Sequence, residues 1–143
     1  MQPELLLFDI GNTSIKVGLA NERHVLTSYT LPANAGHTSD SLGLTLLSLL
    51  RHADTDMAKL KACVASSVVP GFDPLLREAV ARYLDRPLYC APDDLPIPLE
   101  NRYERPSEVG ADRLVGAFAA RRLCPDAASL LVVDFGTAVT FDC

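Results

Sequence analysis

No C-x-x-C pair occurs among the four cysteines, Cys63, Cys90, Cys124 and Cys143. That spacing excludes a zinc ribbon and a redox dithiol and leaves reduced thiols as the expectation. The three histidines, His24, His37 and His52, have no partner at ligand spacing and read as solvated side chains. The 13 basic residues form no run, and the formal net charge is -5. Nucleic acid and anionic membrane surfaces select clustered Lys and Arg, so neither is expected as a partner. The N-terminus, Met1-Gln2-Pro3-Glu4, is acidic, and the apolar run Leu5 to Ile10 is too short to cross a bilayer. A cytoplasmic location is the expectation. Both common glycine-rich phosphate cradles, G-x-x-x-x-G-K-[ST] and G-x-G-x-x-G, are absent.

What is present is a chain of 143 residues, 48% hydrophobic, enough for one ordinary core. Leu5 to Asp9 and Ile15 to Ala20 read as strands joined by a bend at Gly11 and Asn12, and His24 to Leu31 as a third strand. Leucines 42, 46, 49 and 50 predict a helix over Ser41 to His52, followed by a buried strand over Lys61 to Val69. A helix from about Pro74 to Leu84 and a short strand from Arg86 to Cys90 come next. Ala91 to Pro106 holds four of the ten prolines and reads as a long loop, of the length that is usually functional. Glu108 to Leu123 is expected as a helix, with Leu130 to Asp134 and Val139 to Cys143 as a closing hairpin. The order, βββαβαβα and then ββ, implies an α/β, ribonuclease-H-like domain over residues 1–124 and the start of a second over 125–143.

The two hairpins share a motif. Asp9-Ile10-Gly11-Asn12-Thr13 and Asp134-Phe135-Gly136-Thr137-Ala138 each follow an apolar run and place an Asp and a Gly at a bend, which suggests a duplicated fold. Terminal phosphates need close backbone donors, a hydroxyl or amide, and a carboxylate that holds magnesium directly or through water. The first motif, with Lys16 just beyond it, supplies these groups, although the same Asp and Asn could simply stabilise a bend. A third block, Pro106 to Arg113, leaves the long loop and enters a helix, with Asp112 and Arg113 in its first turn. For Asp112 the alternative role is helix capping, and for Arg113 a surface charge.

At Asp9 to Lys16, Tyr103 to Arg113 and Asp134 to Thr140, the chain resembles type III pantothenate kinases of the actin-like ATPase superfamily, with the three blocks in the family's order. The resemblance implies ATP-dependent phosphorylation of pantothenate, the first step towards coenzyme A. It implies ATP binding by Asp9, Ile10, Gly11, Asn12, Thr13, Ser14, Ile15 and Lys16, with Thr137 as a further ATP contact. Asp112 would be the general base, and Tyr103, Gly110, Ala111, Asp112 and Arg113 the substrate site. The planar fork of Arg113 would suit a substrate carboxylate. Asp134 would hold a monovalent cation, K+ or NH4+, and Mg2+ would accompany ATP. The family's members are homodimers that continue into a second domain, so this chain is expected to be an N-terminal fragment, inactive alone. The other readings are another actin-like small-molecule kinase, against which Tyr103 and Gly110 to Arg113 argue, and a non-catalytic nucleotide-binding regulatory protein.

Overall fold

Strand β1 (Leu5–Ile10) buries Leu6, Phe8 and Ile10 and turns Leu5, Leu7 and Asp9 to its other face, the period of two that a pleated strand imposes. The computed structural model that shows this describes residues 2–33, 36–136 and 138–143. Strand β2 (Ser14–Ala20) returns antiparallel to β1, with Ile15 opposite Ile10 and Lys16 opposite Asp9. Strand β3 (Val25–Pro32) pairs antiparallel with β2 and is largely exposed at the sheet edge. Strand β4 (Ala62–Ser67) lies parallel to β1 on its other side, and β5 (Leu88–Ala91) lies parallel to β4. The sheet order is therefore β3-β2-β1-β4-β5, the ribonuclease-H-like arrangement that the element order implies.

Two helices cover one face of this sheet. In α1 (Ser39–His52), Leu42, Leu46 and Leu50 recur every four residues and are buried. Thr38 caps this helix, accepting from the Ser41 backbone N–H while the Ser41 hydroxyl accepts from the Thr38 N–H. That reciprocal cap starts the helix at Ser39, earlier than the leucine pattern alone indicates. Helix α2 (Phe72–Leu84) buries Phe72, Leu76, Ala79, Val80 and Leu84 and packs on α1. These residues join Leu6, Phe8, Ile10, Ile15, Val17 and Leu19 in one core, which among the described residues extends no further along the chain than Cys90.

The rest of the chain is arranged differently. Pro106–Glu108 form a single 3-10 turn, and Val109 and Gly110 are extended, with ψ of 121° and 147°. Helix α3 (Ala111–Leu123) therefore begins later than its Ala-rich pattern suggests, and of its residues only Ala111 is buried. It lies against β4 and β6. Strands β6 (Val132–Phe135) and β7 (Val139–Asp142) make a separate antiparallel pair. Strand β5 begins at Leu88, after Arg86, whose guanidinium is used in donating to the Leu60 and Met57 carbonyls at 2.6 and 2.8 Å. Among the described residues no helix is long and apolar enough to cross a membrane.

Candidate functional site

The register of the sheet decides which polar side chains meet on the face opposite α1 and α2. Asp9 stands between Lys16 on β2 and Ser66 on β4, and Ser66 stands next to Ala91 on β5. On the second hairpin, Asp134 is opposite Thr140 and Val132 is opposite Asp142. Side chains two apart on a strand share a face, so Val132, Asp134, Thr140 and Asp142 present one surface. The two surfaces and the start of α3 bound a single cavity of about 600 Å³, to which Asp9, Lys16, Ser66, Asp112, Asp134 and Thr140 all contribute.

Within it, the Lys16 Nζ lies 3.1 Å from the Asp9 Oδ2, and both side chains are more than half exposed. Such a pair holds its partners loosely, because water screens it and both chains lose rotamer freedom in making it. Asp112 sits one residue into α3 and accepts the Arg113 backbone N–H at Oδ1, 2.8 Å away. The N-cap itself is Gly110, which makes no side-chain cap bond. Asp112 is thus placed in the positive first turn of the helix without acting as its cap. The hydroxyl oxygens of Ser66 and Thr140 are buried and have no hydrogen-bond partner among the described residues. Buried hydroxyls normally find one, so these two are available to a ligand.

A second cluster joins this cavity to a neighbouring one of about 700 Å³. The Arg113 Nε donates to the Asp142 Oδ2 at 3.1 Å, and its Nη2 donates to the Asp142 Oδ1. The Tyr103 hydroxyl donates to the same Asp142 Oδ1 at 2.8 Å and also meets the Arg113 Nη2. The guanidinium lies 4.8 Å from the centre of the Tyr103 ring. Asp142 is only 8% exposed. The Arg113 hydrogen bond, with a smaller contribution from Tyr103, holds the Asp142 carboxyl below the usual carboxylate range against the opposing effect of burial. The same bond raises the Arg113 guanidinium, and the bond to Asp142 raises the Tyr103 phenol.

The structure thus brings Asp9, Lys16, Asp112, Arg113 and Asp134 to one cavity and leaves Tyr103 on the adjoining one, which Arg113 also lines. Ile10 and Ile15 are core residues at 1% and 0% exposure, so only their backbone can reach a ligand. Gly11, Asn12 and Thr13 form the bend between β1 and β2, and the Gly11 N–H donates to the carbonyl of Ser14, the first residue of β2, at 2.9 Å. Ala111, the first residue of α3, is buried. Thr137 lies outside the described residues. The fork of Arg113 is in part taken, because Asp142 occupies its Nε and Nη2 edge. Ser66, Thr140 and Asp142 also line the cavity, and the sequence pattern did not single them out. The only signal for Asp142 is an acid that ends the short strand after Val139, Thr140 and Phe141.

The family model for type III pantothenate kinase matches residues 5–143. The chain belongs to the type III pantothenate kinase family. A curated type III pantothenate kinase from Desulfovibrio desulfuricans is 74% identical over 143 residues, which is all of this chain and 54% of that protein. One from Nitratidesulfovibrio vulgaris is 64% identical over the whole chain and 55% of its own length. A third, from Myxococcus xanthus, is 39% identical over 96% of this chain and 53% of its own. The chain therefore spans about half the length of the curated relatives it matches. Among solved structures, a ROK hexokinase from Thermus thermophilus aligns with a TM-score of 0.48 at 17% identity, over 60% of this chain and 32% of that one.

Proposed function

We propose that this chain carries the phosphate-binding hairpin and the catalytic carboxylate of an enzyme that phosphorylates pantothenate to 4′-phosphopantothenate at the expense of ATP. The observation that carries the reading is the convergence of Asp9, Lys16, Asp112 and Asp134 on one cavity of about 600 Å³, since these charged residues are drawn from all three family blocks. Asp112 takes the proton from the substrate hydroxyl, whose oxygen then attacks the γ-phosphorus of ATP. The bond to the β,γ-bridging oxygen breaks, ADP leaves, and the proton remains on Asp112. In such loose transition states positioning and charge stabilisation do most of the work. Lys16 neutralises phosphate charge, and the bend from Gly11 to Ser14 brings backbone close to the phosphates. Thr137 is assigned to ATP on the family resemblance.

Among the described residues no three acidic, His or Cys side chains converge as a metal cage. Single carboxylates suit a cation that shares its coordination with phosphate oxygens and water. Asp9 would hold Mg2+ in this way and Asp134 a K+ or NH4+ ion, each supplying charge neutralisation at the phosphates. Tyr103, Gly110, Ala111 and Arg113 form the pantothenate side of the site, with Arg113 contributing the donors that Asp142 leaves open. Residues 1–124 make up the first domain on this reading, and 125–143 open a second that closes the cleft over ATP. The enzyme is a cytoplasmic homodimer whose substrate pocket the partner chain completes.

The test is ATP-dependent phosphorylation of pantothenate by the full-length enzyme, with Asp112→Asn as its partner. A positioned general base is worth roughly a hundredfold or more, so turnover falls by that factor while nucleotide binding is kept. Turnover of the variant near that of the wild type would return Asp112 to a structural role.

A further inference from the structure

Asp142 is the one buried acidic residue of the described chain, and it is spent entirely on two residues assigned to pantothenate. Its two carboxylate oxygens take the Nε and Nη2 edge of Arg113, and one of them also takes the Tyr103 hydroxyl. The Tyr103 ring stacks on the same guanidinium, so the three side chains form a closed unit at the junction of the two cavities. An arginine carries five N–H donors in a rigid plane. With Nε and Nη2 engaged, the two N–H groups of Nη1 remain without a partner among the described residues.

We propose that Asp142 is a positioning residue of the substrate site, fixing Arg113 and Tyr103 so that a ligand carboxylate is met by the Arg113 Nη1 alone. The proposal rests on the assignment of Arg113 to the substrate side. A monodentate contact of this kind selects a carboxylate by charge and direction, while the locked plane keeps the guanidinium from swinging to Asp112, its chain neighbour. An unpaired arginine here would pay for each encounter with the freezing of its long side chain. Asp142 removes most of that cost before the ligand arrives. The pair is also shielded from water on the Asp142 side, where an ion pair is held more firmly than at an open surface.

The experiment compares wild type, Asp142→Asn, Arg113→Lys and the double variant in the full-length enzyme, reading KM for each substrate, kcat, and the side-chain Nε–H signal of Arg113 by NMR. Asp142→Asn keeps the volume and removes the charge. It raises KM for pantothenate about tenfold with KM for ATP unchanged, and it abolishes the slowly exchanging Nε–H signal. The double variant is no worse than Arg113→Lys, because coupled partners are not additive. Asp142→Glu keeps the charge, retains the Nε–H signal and recovers part of the loss. Additive losses, an unchanged KM for pantothenate, an equal rise in both KM values, or a Nε–H signal that survives Asp142→Asn each overturn the proposal. If the wild type does not turn over pantothenate, the functional reading falls, and the Nε–H signal still decides whether Asp142 fixes Arg113.

Discussion

Gly110 and Asp112 are placed so that any side chain on the first would strike the carboxylate of the second: a Cβ at position 110 would lie 2.5 Å from the Asp112 Oδ1 and 3.2 Å from the Val68 Cγ1. The Gly110 backbone, with φ of -59°, is open to every residue, so the glycine is required by space and not by conformation. Gly110→Ala leaves the chain folded, because the atom it meets first is the free end of a side chain that can rotate away. On the proposed role of Asp112, the rotated carboxylate no longer stands where a base is needed. Turnover of the full-length enzyme falls about tenfold to a hundredfold while the thermal midpoint moves little. Turnover equal to wild type would show that the position of this carboxylate does not matter.

Lys16→Met separates phosphate binding from stability. An exposed pair such as Asp9 with Lys16 contributes only about 0–1 kcal/mol to folding, so the denaturation midpoint is nearly unchanged. On the proposed role of Lys16, loss of its charge raises KM for ATP by about tenfold, the equivalent of roughly 1.4 kcal/mol. A KM shift for pantothenate in its place would move Lys16 to the other side of the site.

Element order was legible because each element buries residues at its own period: Leu6, Phe8 and Ile10 at two, Leu42, Leu46 and Leu50 at four. The site was legible only where its residues sit in short local blocks, as Asp9 to Lys16 and Gly110 to Arg113 do. Ser66 reaches Asp9 through the pairing of two parallel strands separated in the chain by β2, β3 and α1, and no local pattern encodes that register. Asp142 meets Arg113 through the docking of a hairpin onto α3, again a tertiary event. For this reason the occupied edge of Arg113 could not be read from the fork geometry of arginine alone.

Gly43 tests how α1 and α2 fit. Alanine in place of glycine within a helix gains up to about 1 kcal/mol from propensity. Here its Cβ would lie 2.1 Å from the Tyr83 Cδ2 and 2.4 Å from the Tyr83 Cγ, inside the ring. Tyr83 is also tied to Asp40 by a 2.6 Å hydrogen bond, so the ring cannot withdraw without losing it. Overpacking costs about 1–3 kcal/mol and outweighs the propensity gain. Gly43→Ala therefore lowers the denaturation midpoint in urea; a raised midpoint would mean that the helices separate freely.

Burial pushes the Cys63 thiol up to about 12 from its ordinary value, while Cys124 and Cys143 are exposed. Native protein at pH 8 therefore gives two fast-reacting thiols with an alkylating reagent, and Cys63 and Cys90 react only on unfolding. The folded-state value is the raised one, so this thiol's contribution to stability is complete below the ordinary thiol range and declines as pH rises from there towards about 12. Cys63→Ser flattens that alkaline decline. Four equally fast thiols in the native protein would contradict the burial.

The hairpin of β6 and β7 turns Asp134 and Thr140 to the cavity and leaves Phe135, Val139 and Phe141 exposed on its other face at 80%, 50% and 60%. A two-stranded sheet is marginal by itself, and an apolar face with free strand edges invites pairing. The 143-residue chain, expressed alone, therefore self-associates through this hairpin and shows no pantothenate phosphorylation. Replacing Phe135 and Phe141 by Ser removes the adhesive surface without touching the core, which among the described residues extends no further than Cys90. Sedimentation of the double variant then reports a monomer with the circular dichroism of the parent chain and still no turnover. A wild-type chain that is monomeric at every concentration, or that phosphorylates pantothenate, would show that this face needs no partner and that the cavity is already complete.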